Sequence, residues 1–148
     1  CEKWLVEGRI PYAAGTIGVA QAALQIAIDW AKERETFRTK LADKQAIQWM
    51  IADSEMELRA ARLLTWQAAW IADLGRGDLK VASSIAKVTA TETAGRVVDR
   101  AIQILGGLGV SQELPLERWY REMRIKRIGE GPSEVHRMVL ARQLLGNR

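Results

Sequence analysis

Residues 11–34 read PYAAGTIGVAQAALQIAIDWAKER and are apolar around nearly the whole circumference of a helix as far as Lys32. Pro11 suits the first turn of a helix, where its missing N–H would have no partner in any case. Gly15 and Gly18 would let a second helix approach closely, although glycine inside a helix costs about 1 kcal/mol relative to alanine. A helix that is apolar on all sides belongs in an interior. The segment therefore predicts a long buried helix that begins at Pro11.

A second long helix is predicted after the break ETFRTKLADK, with Asp43 placed to cap its first turn. Trp49, Trp66 and Trp70 fall on this helix, and we expect them to pack, which is the usual role of tryptophan. The apolar and small side chains recur at helical spacing. They form one stripe, made of Ile47, Met50, Ile51, Ser54, Leu58, Ala61, Leu64 and Ala68.

The string GRGDLK is a turn signal. Gly75 suits a left-handed helix end, and Asp78 can cap a third long helix that runs from about residue 81 to about residue 105. Two short helices are predicted to begin near Pro115 and Pro132, each with proline in its first turn.

The chain as a whole is predicted to be all-α. No segment alternates apolar and polar residues with enrichment in β-branched residues, so strands are not expected. Three long and two short helices joined by short loops predict an up-and-down antiparallel four-helix bundle with short additional C-terminal helices.

Composition limits the classes of protein that this chain can be. The 148 residues are 48% apolar and 27% charged, which suits one globular domain. The sequence has neither a long apolar span for a membrane nor a secretory leader pattern. The formal charge of +4 raises the question of anionic partners, but no block of about five like charges occurs, so nucleic acid is not expected. The single cysteine, Cys1, cannot form an internal disulfide.

A run of cations marks the fourth predicted helix. Arg118, Arg121 and Arg124 recur every three residues, and Lys126 and Arg127 adjoin them, so positive charge gathers on one side of a short helix. A solvated helix face is the more common reason for such a run. The alternative is a counter-charge for phosphate groups, and both interpretations stay open at this point.

Several kinds of catalytic site are not expected. The chain has one histidine, His136, and Glu134 lies at the wrong spacing for a Glu-x-x-His metal pair, so no metal is predicted. His136 itself is interpreted as a surface or capping residue in preference to a catalytic one. No serine has the sequence context of a nucleophile elbow, and the glycines of QILGGLG do not follow a strand, which excludes the dinucleotide fingerprint.

Glu130 is the candidate that remains. It stands between Gly129 and Gly131 in the string RIGEGPS, just before a predicted helix. Glycines allow a sharp bend and a close approach of the backbone to a ligand, and the helix that starts near Pro132 would point free N–H groups toward that ligand. On spacing alone a solvated carboxylate is the more common explanation.

Three strings together resemble the C-terminal domain of the acyl-CoA dehydrogenase family. RETFRTKLADKQ, QILGGLG and ERWYREMRIKRIGEGPSEVHR occur in this order with helices between them, and the resemblance covers essentially all 148 residues. Members of the family have an N-terminal helical domain, a middle β-domain and a C-terminal helical bundle. The resemblance thus implies that residues 1–148 are the third part alone, which fits a chain that starts at Cys1.

The resemblance implies FAD-dependent α,β-dehydrogenation of an acyl-CoA thioester to the trans-2-enoyl-CoA. Glu130 matches the family's catalytic glutamate, which removes the α-proton while the β-hydrogen leaves as hydride to N5 of FAD. A raised pKa and a dry site would suit such a base. The backbone N–H of Glu130 would help to polarise the thioester carbonyl, and Arg9 and Gly131 are assigned to substrate binding on the same basis.

The resemblance also implies an FAD site shared between subunits. The matching positions are Arg34, Thr36, Phe37, Gln45, Gln103, Gly106 and Gly107. In the family these segments reach the FAD of a neighbouring subunit, so a homo-oligomer, either dimer or tetramer, is implied. An electron-transferring flavoprotein is the implied acceptor, and a bacterial cytoplasm or a mitochondrial matrix is the implied compartment. The third domain alone is expected to be inactive.

Three positions depart from the family's pattern, Arg38, Gly129 and Pro132, and a fourth, Gly8, bears on the identity of the base. Gly8 stands where some relatives place the base, which favours Glu130 in that role. Arg38 replaces a usual glycine, and Pro132 replaces a threonine that often contacts the flavin, although proline offers neither a hydroxyl nor an N–H. Gly129 replaces a common aromatic residue, and the open space expected beside it predicts an unusual acyl pocket.

Three alternatives stay open: an acyl-CoA oxidase-like relative, a nucleic-acid-associated relative on the same fold, and a non-catalytic helical interaction domain. The length and branching of the acyl group are not predicted from this sequence.

Overall fold

The computed structural model describes residues 2–146. The expectation about Cys1 therefore falls outside the described residues. Within this range the chain forms five α-helices: α1 Glu2–Glu33, α2 Gln45–Leu74, α3 Leu79–Leu105, α4 Leu116–Lys126 and α5 Ser133–Leu145. The three long helices run up, down and up, and α4 and α5 pack on α3. The prediction of an all-α helical bundle is confirmed.

Small side chains set the spacing of the bundle. The two helices α1 and α3 pack together along their length, and their buried positions are rich in alanine, which lets the backbones come close. These alanines are Ala13, Ala20, Ala23, Ala27 and Ala31 on α1 and Ala86, Ala90, Ala94 and Ala101 on α3. The stripe predicted on α2 also faces this core, where Ser54, Leu58, Ala61 and Ala68 are buried.

The first helix differs from its prediction in two ways. It begins at Glu2, so Pro11 lies inside it rather than in its first turn. It is also not buried on all sides, because Gly15 and Gly18 are exposed and a β-carbon at either position would meet nothing within 4 Å. The exposed face of α1 carries small residues such as these glycines, which count as apolar. The sequence therefore looked apolar around the whole helix.

Helix ends were predicted with mixed success. Gly75 ends α2 in the left-handed region at φ 62°, and the side chain of Asp78 caps α3 by accepting a hydrogen bond from the Val81 N–H at 3.0 Å, both as predicted. The prediction for Asp43 was wrong. It lies in a short 3₁₀ turn, Leu41–Asp43, and α2 begins after Lys44 without a side-chain cap.

The expectation that the chain has no strands was also wrong in one place. Two two-residue strands, β1 Glu35–Thr36 and β2 Thr39–Lys40, pair in antiparallel fashion between α1 and α2. Phe37 and Arg38 form the turn, and both have positive φ, 53° and 64°. This is the backbone sign of a type I′ hairpin turn, which favours glycine or asparagine.

The tryptophans of α2 do not pack inside this chain. Trp49, Met56, Leu63 and Trp70 recur at every seventh residue and are 61–62% exposed, opposite the buried stripe of the same helix. We call these four residues the α2 stripe. Trp66, beside it, is equally exposed. The expectation that these tryptophans pack is therefore wrong within one copy of the chain.

Arg38→Gly should stabilise the chain. Arginine at φ 64° carries the steric cost of a left-handed residue, about 1 kcal/mol, and glycine does not. Urea unfolding should show a gain of about 0.5–1 kcal/mol, reduced by the greater freedom of glycine in the unfolded chain. The control is Thr39→Gly, in the adjacent strand, which should destabilise. A loss of stability in Arg38→Gly would contradict the I′ assignment.

Candidate functional site

The turn between α4 and α5 holds Glu130 in an unusual backbone conformation. Glu130 has φ 57° and Gly131 has φ 96°, so a non-glycine residue occupies the left-handed region beside a glycine that does so freely. Main-chain hydrogen bonds close the turn: the Gly129 N–H donates to the Ile125 carbonyl at 3.1 Å, and the Ser133 N–H donates to the Arg127 carbonyl at 3.1 Å. Such strain persists only where surrounding contacts enforce it.

Lys87 on α3 supplies one of these contacts. Its side chain is fully buried, and Nζ donates hydrogen bonds to the Gly131 carbonyl at 2.7 Å and to the Arg127 carbonyl at 3.2 Å. Burial, aided by the positive charge of Arg9 and opposed by nearby carboxylates, lowers the pKa of Lys87 to about 8. One ammonium group therefore fixes both ends of the turn that carries Glu130.

His136 on α5 supplies a second contact, and the interpretation of it as a surface or capping residue was wrong. It is 2% exposed, its Nε2 lies 3.1 Å from the Glu130 carbonyl oxygen, and its Nδ1 lies 3.0 Å from Ser84 Oγ. Since a carbonyl can only accept, Nε2 carries the proton in that bond. Burial, aided by the charge of Arg9, lowers the pKa of His136.

Helix α1 forms the other side of the site. A β-carbon placed on Gly8 would lie 4.0 Å from Glu130 Oε2, so this turn of α1 faces the carboxylate. Arg9 follows directly and is half-buried, and its charge acts on both Lys87 and His136. Glu130 Oε2 is closed to solvent and has no hydrogen-bond partner within residues 2–146. The geometry thus brings Arg9, Glu130 and Gly131 together.

The space expected beside Gly129 is not open. A β-carbon on Gly129 would lie 2.5 Å from the hydroxyl oxygen of Tyr12 and 3.4 Å from its Cζ, so a residue of α1 fills the position. Tyr12 is half-buried, and burial together with the charge of Glu130 raises its pKa. The expectation of open space beside Gly129 was wrong.

The positions matched to a flavin site lie far from Glu130 in the same chain. They gather where α1 and α3 end and α2 begins, at one end of the bundle. Lys87, which contacts the Glu130 turn, precedes the end of α3 at Leu105 by 18 residues, a rise of about 27 Å at about 1.5 Å per residue. One copy of the chain therefore does not bring the two groups of residues together.

The residues at this second end suit a flat, phosphate-bearing cofactor. Phe37 is 96% exposed at the hairpin tip, and Arg34 lies beside it in sequence with its guanidinium 5.8 Å from the Trp30 ring. A β-carbon on Gly106 or Gly107 would meet nothing within 4 Å, so a ligand can approach the backbone there. Gln45 and Gln103 are exposed at the same end, and Thr36 is half-buried.

Three of the five cations in and directly after α4 form ion pairs with carboxylates. The ion pairs are Arg118–Glu122 at 3.5 Å, Arg121–Glu117 at 2.9 Å and Arg127–Glu92 at 3.8 Å. The first two join residues four apart on an exposed helix face, which favours the interpretation as a solvated surface over a phosphate site. No group of three metal-ligating side chains occurs among residues 2–146, and none of the helices in that range is long and apolar enough to cross a membrane.

Comparison with known proteins agrees with this architecture. Residues 2–145 match the family model described as "Acyl-CoA dehydrogenase, C-terminal domain". The chain belongs to the acyl-CoA dehydrogenase family. It is 47% identical over 137 residues to (R)-benzylsuccinyl-CoA dehydrogenase of Thauera aromatica. These aligned residues are 93% of this chain and 34% of that protein. It is 43% identical over 143 residues to the mitochondrial short-chain specific acyl-CoA dehydrogenase of Sus scrofa, with 97% and 35% covered.

A solved structure gives the same result. Butyryl-CoA dehydrogenase from Megasphaera elsdenii superposes with a TM-score of 0.92 at 40% identity, over 95% of this chain and 37% of that one. The chain thus spans about a third of the length of these acyl-CoA dehydrogenases.

Three residues of the site were missed from sequence, Tyr12, Ser84 and Lys87, and so was the burial of His136. Lys87 carried a signal, because SSIAKVTAT places a lone lysine on the side of α3 that also bears small residues. The other contacts join segments distant in sequence, which no local pattern records.

The pH dependence of stability should report on His136. Its pKa in the folded chain lies below the usual value of about 6.5. At a pH below about 6.5, the unfolded chain therefore binds more protons at this residue than the folded chain does. The free energy of unfolding should therefore fall as pH drops through about 6.5 toward the lowered folded pKa. Because the chain has one histidine, NMR titration of its ring assigns the midpoint directly.

His136→Gln is the matched variant, and its unfolding free energy should change less between about pH 7 and pH 5.5. A ring titration midpoint at or above about 6.5 would show that burial does not control this histidine.

Proposed function

We propose that this chain is the C-terminal helical domain of an FAD-dependent acyl-CoA dehydrogenase, and that Glu130 is the base. The substrate would be an acyl-CoA thioester, converted to the trans-2-enoyl-CoA. The observation that supports this most is the state of Glu130: a strained residue whose Oε2 is closed to solvent and has no hydrogen-bond partner within the described residues. A structural carboxylate in such a place would be expected to have a partner.

Proton transfer needs Glu130 to be held still. The α-C–H of a thioester is a weak acid, so the base must be aligned with it in a site that excludes water. Lys87 and His136 bind the carbonyl oxygens of Gly131 and Glu130, so the peptide groups on the C-terminal side of the base are fixed by side chains from α3 and α5. In this proposal the Glu130 N–H and Gly131 lie against the thioester, and Arg9 helps to enclose it.

FAD would be held at the other end of the bundle by Arg34, Phe37, Gln45 and the glycine turn after α3. When bound, FAD supplies the oxidant that accepts the β-hydrogen as hydride. An arginine suits the pyrophosphate because it donates several hydrogen bonds with fixed charge. Since this end lies about 27 Å along α3 from the Glu130 turn, each flavin segment would serve the base of another subunit.

The α2 stripe supports the proposal of a homo-oligomer. Four large apolar side chains at every seventh position form a continuous exposed surface of the kind that helices bury against one another. Dimer and tetramer are both compatible with it. An electron-transferring flavoprotein as acceptor, and a bacterial cytoplasm or mitochondrial matrix as compartment, are proposed from the family alone.

Glu130→Gln should abolish the reaction without unfolding the protein. Glutamine fills the same volume but cannot accept the α-proton, and general bases typically contribute about 10²–10⁴-fold. In full-length enzyme loaded with FAD, the rate of flavin bleaching by butyryl-CoA should fall by at least about 100-fold, with FAD content unchanged. Glu134→Gln, an exposed carboxylate four residues away, is the control and should retain activity. An undiminished rate in Glu130→Gln would remove the base assignment.

Leu63→Glu should weaken self-association. A charge in the middle of the α2 stripe would be desolvated in any interface that covers it, at a cost of several kcal/mol unless paired. Analytical ultracentrifugation of the full-length protein should show a shift to smaller species. Gln143→Glu, exposed on α5, is the control. An unchanged distribution would mean that subunits meet elsewhere.

A further inference from the structure

We propose that Tyr12 is a specificity-determining residue: its ring, supplied by α1, forms a fixed wall of the acyl site beside Glu130 and excludes acyl groups that are branched next to the thioester. This inference rests on the proposed function and names the substrate class within it. It assigns to Tyr12 the space that an aromatic residue at position 129 would otherwise fill.

Tyr12 lies close to Glu130, the proposed catalytic base. It follows Gly8 by one helical turn on α1, and Gly8 is the residue whose added β-carbon would lie 4.0 Å from Glu130 Oε2. Its hydroxyl lies 2.5 Å from the place that a β-carbon on Gly129, the residue directly before Glu130, would occupy. Burial, together with the negative charge of Glu130, raises the pKa of the Tyr12 phenol.

The ring is held on more than one side. The Lys126 ammonium lies 4.0 Å from the ring centroid, within range of a cation–π contact, and the hydroxyl donates a long hydrogen bond of 3.4 Å to the Lys126 carbonyl. Only glycine at 129 leaves room for the hydroxyl, because any β-carbon there would lie 2.5 Å from it. A half-buried aromatic ring fixed in this way narrows the proposed acyl site beside Glu130 and does not move aside for a larger acyl group.

We call the tight fit of the Tyr12 hydroxyl against Gly129 the interlock. It can be tested by a double-mutant cycle on the full-length FAD-loaded protein. Gly129 does not have positive φ, so alanine is penalised there by contact alone. Gly129→Ala should lower the apparent thermal midpoint by a few degrees. Tyr12→Phe/Gly129→Ala should recover most of this loss, because the remaining Cζ contact of 3.4 Å is an ordinary one. Gly15→Ala, whose β-carbon would meet nothing, is the control.

Specificity is tested by the ratio of kcat/KM for isobutyryl-CoA to that for butyryl-CoA. Removing the ring in Tyr12→Ala should raise this ratio by about tenfold or more, since excluded methyl groups are worth roughly 10–200-fold. Tyr12→Phe keeps the ring and should leave the ratio close to wild type. Tyr12→Leu, which retains packing, serves if Tyr12→Ala fails to fold and should raise the ratio as well.

The outcomes separate this inference from the function on which it rests. An unchanged ratio in Tyr12→Ala or Tyr12→Leu, with wild-type activity intact, overturns the specificity role alone. Failure of the double variant to recover stability overturns the interlock that fixes the wall. If no acyl-CoA in a series of straight and branched chains of several lengths bleaches the wild-type flavin, the proposed function fails and the role of Tyr12 falls with it.

Discussion

The buried ammonium of Lys87 is the interaction on which the arrangement of the candidate site depends. A charge removed from water is tolerated only when hydrogen bonds replace its hydration, and the partners here are two main-chain carbonyls of the turn between α4 and α5. The turn must therefore sit over the N-terminal part of α3 for the fold to be stable. Because α1 packs against the same helix through alanines, the position of Gly8 and Tyr12 relative to Glu130 follows from that one helix.

The same helix separates the two halves of the proposed chemistry. Its N-terminal part carries Ser84 and Lys87 under the Glu130 turn, and its C-terminal end carries Gly106 and Gly107. A rigid rod cannot bring its own ends together. Self-association is thus a geometric requirement of the proposed function, and the exposed α2 stripe offers a surface on which it could occur.

Sequence patterns predicted the parts of the structure that depend on local physics. Helical periodicity gave the five helices, and Gly75 and Asp78 marked ends because their conformational and hydrogen-bonding preferences act within one turn. The two-residue strands were not predicted, because two residues are too few to show an alternation of apolar and polar side chains. The seventh-residue spacing of the α2 stripe was visible in the sequence, but periodicity alone does not say whether a surface is covered by the same chain or by another.

The site was less predictable because its contacts are non-local. The residues around Gly129 in the sequence predicted open space beside it. Tyr12, which fills that space, lies on α1, more than a hundred positions earlier. His136 looked like a surface residue from its place in the first turns of α5, and only the packing of α5 on α3 buries it.

Backbone strain is concentrated where the function is proposed. Among residues 2–146, the non-glycine residues with positive φ are Phe37, Arg38 and Glu130. Two lie in the proposed cofactor segment and the third is the proposed base. Each violates a local preference that glycine or asparagine would satisfy, at a cost of about 1 kcal/mol or more. Strain scattered at random over five helices and their connections would not be expected to fall on these two short segments and nowhere else in the described chain. Selection for stability alone would have relaxed it, so the proposed function explains Phe37 and Glu130 by what they contact when the site is complete, whereas Arg38, where the family usually has glycine, has no such explanation.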